Sequence, residues 1–191
     1  MSIVDAPVGT KTRWTAARYL SASSPDDGNL YEILDGELIM AAAPNLRHQE
    51  VAGNIYELMK AFVRSKKLGK VFISPVDVVL GDDLTEPDVV FVSKERKDIM
   101  GRERISGAPD LVVEVLSLST SMRDLRYKWD LYARSGVREY WVVNPEAETV
   151  EVLTLVDGVY QRHLLAENEG AIITSKILDG FSVPLADVFA E

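Results

Sequence analysis

The stretch that most constrains this chain is LVVEVLS, residues 111–117. In an extended strand Leu111, Val113 and Val115 point to one side, and Val112, Glu114 and Leu116 to the other. Both sides are apolar apart from Glu114, the pattern of a central strand covered on two faces. VREYWVVN (137–144) reads the same way at its centre. Such strands require helices or a second layer above and below, so the expected class is α/β with a mixed sheet. An ionised carboxylate inside that strand is costly without a partner, which makes Glu114 the first residue to explain.

The remaining pattern is that of one domain spanning 1–191. Thr15 is placed to cap a short helix, TAARYLSAS, and YEILDGELIMAA reads as a hairpin about Asp35-Gly36. Val51, Ile55, Leu58, Met59 and Phe62 recur at helical spacing in a long amphipathic helix that ends before Gly69. Three strands follow: KVFISPVDVVL, PDVVFV and DLVVEVLS. Ser117, Ser119 and Thr120 are suited to capping the next helix, which stops at Gly136. The tail reads as antiparallel hairpins, one about Asp157-Gly158 and one within AIITSKILDGFSVP.

Charge appears at three places where apolar packing is expected. Pro87 cannot donate to a ladder, so Asp88 in TEPDVVFV is fixed at a strand beginning. Glu114 is the second. The third is Lys128. At roughly 100° per residue Met122, Leu125, Trp129 and Tyr132 share one arc of the helix, and Lys128 lies on its flank, roughly 40° from Tyr132. Arg123, Arg126, Asp130 and Arg134 take the opposite side, while Asp124 sits one turn before Lys128. Two carboxylates and a lysine aimed into one cleft suit phosphodiester hydrolysis with a hard dication, Mg²⁺ or Mn²⁺. Asp88 and Glu114 would be the metal ligands, and Lys128 would stabilise charge or orient the attacking water. The alternatives are a turn cap for Asp88, a buried ion pair for Glu114 and a snorkelling stem for Lys128.

Composition limits the alternatives. Neither histidine, His48 or His163, lies near a nucleophile elbow, and there is no phosphate loop. Without cysteine there is no thiolate site or disulfide framework. The start lacks an apolar signal core and no run is long enough to cross a bilayer, so a cytoplasmic location and no membrane association are expected. A net charge of −9 disfavours a surface that blankets a phosphate backbone, although 64–70, 94–106 and 123–128 are locally basic. Trp129 and Trp141 fit packing better than base stacking.

The ordered set YEILDGELI, NLRHQEVAGNIYELM, EPDVVFV, APDLVVEVLSLST, D-x-x-x-K and YARSGVREYWVVNP resembles the Uma2 family, restriction-endonuclease-like proteins of the PD-(D/E)XK nuclease superfamily. The resemblance runs from about Tyr31 to Pro145. It implies a restriction-endonuclease-like core and a Mg²⁺-dependent nuclease site, with Asp88 as the PD aspartate and Glu114 as the (D/E). The pattern wants lysine two positions later, where this chain has Leu116, and Lys128 is the migrated replacement. The family also carries a histidine at the position of His48, and superfamily members add an acid from the first core helix, for which Glu50 and Glu57 are candidates. The function expected is cleavage of DNA by an endonuclease, with a homodimer following from a two-stranded substrate. The competing expectations are a non-catalytic binding or scaffold protein, favoured by Leu116 and the acidic charge, and a nuclease for RNA or branched nucleic acid.

Overall fold

A computed structural model describes residues 13–22, 29–41, 43–117 and 122–191, with the backbone alone for 122–124. The chain is a mixed α/β fold with mixed sheets flanked by helices. The expected caps Ser119 and Thr120 and the Asp124 side chain lie outside the described residues.

The central sheet has six strands. They are β3 (Gly69–Ile73), β6 (Val89–Ser93), β8 (Leu111–Val115), β9 (Glu139–Asn144), β10 (Thr149–Val156) and β11 (Val159–Ala166), in the order β11-β10-β9-β8-β6-β3. Strand β8 runs antiparallel to β6 and parallel to β9. All five of its residues are buried, and its alternation divides the core. Leu111, Val113 and Val115 pack on one face with Val51, Ile55 and Met59 of α2 (Leu46–Lys66). Val112 packs on the other with Leu131 and Tyr132 of α3 (Met122–Ser135). This two-sided burial is the one that the LVVEV pattern predicts.

A second sheet of five strands lies beside it: β1 (Tyr31–Leu34), β2 (Glu37–Met40), β5 (Asp83–Thr85), β4 (Val78–Leu80) and β7 (Ile105–Ser106), ordered β2-β1-β5-β4-β7. The expectation of KVFISPVDVVL as one strand is corrected here. That run divides at Ser74-Pro75, leaving β3 in the six-stranded sheet and β4 in the five-stranded one. Proline has no N–H for the ladder, so pairing stops there and the chain changes sheets. The β1–β2 turn has Asp35 and Gly36 both at positive φ (52° and 76°), as a two-residue hairpin turn requires. A short helix α1 (Ala16–Ser21) is capped by Thr15, whose side chain accepts from the Arg18 N–H.

The tail forms a small sheet of β12 (Ile172–Thr174) and β13 (Ser182–Pro184), then α4 (Leu185–Val188). Glu139, fully buried at the start of β9, holds it in place. Its carboxylate accepts from Trp141 Nε1 (2.8 Å), Ser175 Oγ (2.7 Å) and the Lys176 and Ile177 N–H groups (2.7 and 3.2 Å). Four donors replace the lost hydration, which is the condition for burying a carboxylate. Trp141 is thus a core residue, and Trp129 packs edge-on to Tyr160 with centroids 5.5 Å apart. Both match the packing expectation. Among the described residues no helix is long and apolar enough to cross a membrane.

Candidate active site

Residues of four strands and the flanks of two helices line a cleft of about 560 Å³. Its polar lining includes Glu32, His48, Glu86, Asp88, Glu114 and Lys128, and its apolar wall includes Ile39 and Leu125. Asp88 stands immediately before β6. Its Oδ2 accepts the Val115 N–H at 2.7 Å, so the carboxylate ties the start of β6 to the end of β8. His48, in the first turn of α2, brings Nε2 to 2.9 Å from the Val115 carbonyl and 3.4 Å from Asp88 Oδ2. Asn45 caps that helix through the His48 N–H (2.8 Å), which fixes where the imidazole enters.

Glu114 points to the α3 side. Both its oxygens meet Lys128 Nζ, at 3.1 and 3.0 Å, and Oε1 also accepts from Tyr132 O–H at 2.6 Å. Lys128 and Tyr132 are four residues apart on α3 and therefore share a helix face. The same ammonium lies 2.9 Å from Glu32 Oε1, on β1. Glu32 in turn accepts the Glu86 N–H at 2.9 Å. One lysine thus joins carboxylates from two sheets, and both acids are at least nine-tenths buried (Glu32 8% and Glu114 9% exposed).

The profile of the Uma2 family, described as "Putative restriction endonuclease", matches residues 17–186. The chain belongs to this family. It also superposes, with a TM-score of 0.78 and 18% identity, on the crystal structure of "a putative nuclease belonging to DUF820 from Anabaena variabilis ATCC 29413", over 92% of this chain and 97% of that one. At that identity the likeness is one of fold. No curated protein matches.

Asp88, Glu114 and Lys128, three groups far apart in the Uma2 sequence, therefore meet in one cleft, and His48 joins them. Glu50 does not line it. That side chain is salt-bridged to Arg47 at 3.1 Å on the outer face of α2, and Glu57 is also exposed. Glu32, Glu86 and Tyr132 are cleft residues that the sequence pattern does not single out. The available signal for Glu32 is of the same kind as for Glu114, an acid sharing a strand face with an apolar residue, here Leu34. Glu86 adjoins the Pro-Asp dipeptide, and Tyr132 reads only as part of the apolar arc.

The electrostatics follow from this crowding. Burial by itself lowers the Lys128 ammonium, but Glu114 and Glu32 together raise it well above the ordinary lysine range, so it stays charged. Glu114 moves up, first through burial and then against the pull of Lys128 through Glu32 and Asp88. Burial opposes protonation of His48, yet Asp88 and the Val115 carbonyl raise it above its usual value. Glu86 is pushed up to about 7 by burial and then by the charges of Asp77 and Glu32.

As metal ligands, the carboxylates of Asp88 and Glu114 and the Val115 carbonyl suit a hard dication, while His48 Nε2 donates to that carbonyl and stands beside them. Among the described residues, no three His, Asp or Glu side chains already stand together as an ion site. Lys128 occupies both Glu114 oxygens. The residues fit such an ion once Lys128 yields one of them, and Glu32 remains as its second acceptor.

Two outcomes test this picture. Lys128→Met leaves Glu32 and Glu114 buried without their counter-charge, so urea unfolding at neutral pH should show a loss of about 3–5 kcal/mol. Adding Glu32→Gln and Glu114→Gln should recover most of it, whereas a loss below about 1 kcal/mol for the lysine variant contradicts the triad. The second concerns pH. Folded Glu86 retains a proton up to about 7, while the unfolded group releases it from its ordinary 4.5. The native state therefore binds more protons in that window, and stability falls as pH rises through it. Glu86→Gln should raise the urea midpoint above wild type at pH values above the window and lessen that decline.

Proposed function

We propose that this Uma2 protein is an endonuclease that hydrolyses phosphodiester bonds in DNA with Mg²⁺ or Mn²⁺. The observation that carries the reading is the convergence of Asp88, Glu114 and Lys128 in one cleft, with His48 and the Val115 carbonyl beside them. Membership of a family described as restriction endonucleases supports nucleic acid as the substrate.

In this reading Asp88 and Glu114 would hold the ion, with the Val115 carbonyl as a further ligand and His48 beside it. A bound dication would polarise the phosphate and lower the pKa of a water molecule on it. Lys128 stays charged because Glu32 shares it, and its ammonium offsets the negative charge that builds on the phosphoryl oxygens. Tyr132 holds Glu114 in orientation through its short hydrogen bond. Burial of Glu32 and Glu114 strengthens their interactions with Lys128. A two-fold dimer, acting on both strands of a duplex in the cytoplasm, completes the proposal.

The rival, a nuclease fold retained for binding, draws on one observation: Glu114 is already neutralised by Lys128. Titration calorimetry with Mn²⁺ separates the two. Wild type should bind and Glu114→Ala should bind at least about tenfold more weakly. With Mn²⁺ and supercoiled plasmid, Asp88→Ala, Glu114→Ala and Lys128→Ala should each cut at least about 100-fold more slowly. Equal metal binding by wild type and Glu114→Ala, with no cleavage of any DNA, gives the site to the binding reading.

A further inference from the structure

We propose that the pole of the molecule opposite the cleft is a docking surface for the phosphate backbone of a nucleic acid duplex. Before a dication is bound, the cleft is a weak attractor for a polyanion. Glu32, Glu86, Asp88 and Glu114 outnumber Lys128 and His48 there, and the chain carries −9 overall. Long-range attraction of a polyanion to the metal-free protein then comes from elsewhere on the molecule.

Two basic segments supply it, and the fold brings them together. The segment 64–70 holds Arg64, Lys66, Lys67 and Lys70 with no acid between them. Lys94 and Lys97 lie on the 3-10 turn Lys94–Ile99, which follows β6 directly. The Lys94 N–H donates to the Leu68 carbonyl at 2.9 Å, and Gly69 pairs with Ser93. Gly69 permits this junction, because a Cβ there would lie 2.1 Å from the Val92 carbonyl oxygen. All six cationic side chains are exposed. Lys94 meets Glu95 at 3.7 Å, and among the described residues no carboxylate pairs with the other five. Arg64 and Lys66 also complement the helix C-terminus, a role that Lys70, Lys94 and Lys97, lying outside that helix, do not have.

The position is defined by the sheet. Asp88 precedes β6 and Lys94 follows it, so the strand separates cleft from pole. Along α2 the separation from His48 to Lys66 is about 27 Å at about 1.5 Å per residue. The large apolar side chains exposed among the described residues are Leu30, Met40, Leu46, Val156, Val159, Leu165 and Ile172, none of them in either basic segment. A membrane-binding surface combines basic residues with apolar ones that insert, which this pole lacks. Flexible lysine ammoniums without apolar neighbours match a regular array of phosphates, read by charge and without base sequence.

The choice of polyanion rests on the phosphodiester reading above, but the test does not depend on cleavage. Binding of a short fluorescent DNA duplex is followed by anisotropy in EDTA across a salt series, for wild type and for two sets of charge reversals. These are Lys66→Glu with Lys67→Glu and Lys70→Glu, and Lys94→Glu with Lys97→Glu, each confirmed folded by thermal melting. Each set should weaken binding at least about tenfold and flatten the dependence of log K on log salt by about one unit for every phosphate no longer neutralised. Unchanged affinity and slope in both sets overturns the proposal. So does a wild type that ignores duplex at low salt, or one that binds phosphatidylglycerol vesicles through these lysines and not duplex. Loss of cleavage with docking intact points instead to the catalytic reading.

Discussion

The fold of the cleft depends on one ammonium group shared by two buried carboxylates. Without Lys128, Glu32 and Glu114 would present like charges to each other in a place where water is scarce, which weakens the joint between the two sheets. The sharing also has a chemical consequence. Because the lysine has two acceptors, either carboxylate can turn to another cation while the ammonium stays paired with the other. A simple one-to-one pair would offer no such freedom. The arrangement makes the triad both a structural joint between two sheets and a cleft with excess negative charge, which is the setting in which a dication is bound rather than repelled.

Much of this was legible because of where charge broke an apolar pattern. Glu114 interrupts a strand whose every other central residue is aliphatic, Pro87 pins Asp88 to a strand start, and Lys128 leaves the polar side of its helix. Each signal is local, and each residue is found in the cleft. What was not legible depended on tertiary neighbours. Glu32 lies in a four-residue strand, too short for its alternation to mark it, and becomes significant only when β1 is laid beside α3. Glu139 begins β9, where an acid is ordinary, yet the folded tail wraps it with four donors. The division of KVFISPVDVVL into β3 and β4 likewise follows from which sheet each half joins, something a run of aliphatic residues does not encode. Pro75 was the available marker.

The distribution of charge gives the molecule two distinct ends. Acids collect where β6 begins and β8 finishes, whereas exposed lysines collect where β6 finishes and α2 stops. Net charge alone conceals this, since a chain at −9 can still carry a concentrated positive face. Separating the two ends by more than a screening length keeps the lysines from neutralising the acidic cleft.

The proposed site takes a dication between Asp88 and Glu114 while Lys128 stays on Glu32. Anomalous diffraction from crystals grown with Mn²⁺ addresses it directly. The expected map has a peak bonded to Asp88, Glu114 and the Val115 carbonyl, with the ammonium retained by Glu32. A cleft without any peak, and Lys128 still clasping both Glu114 oxygens at saturating Mn²⁺, would contradict it.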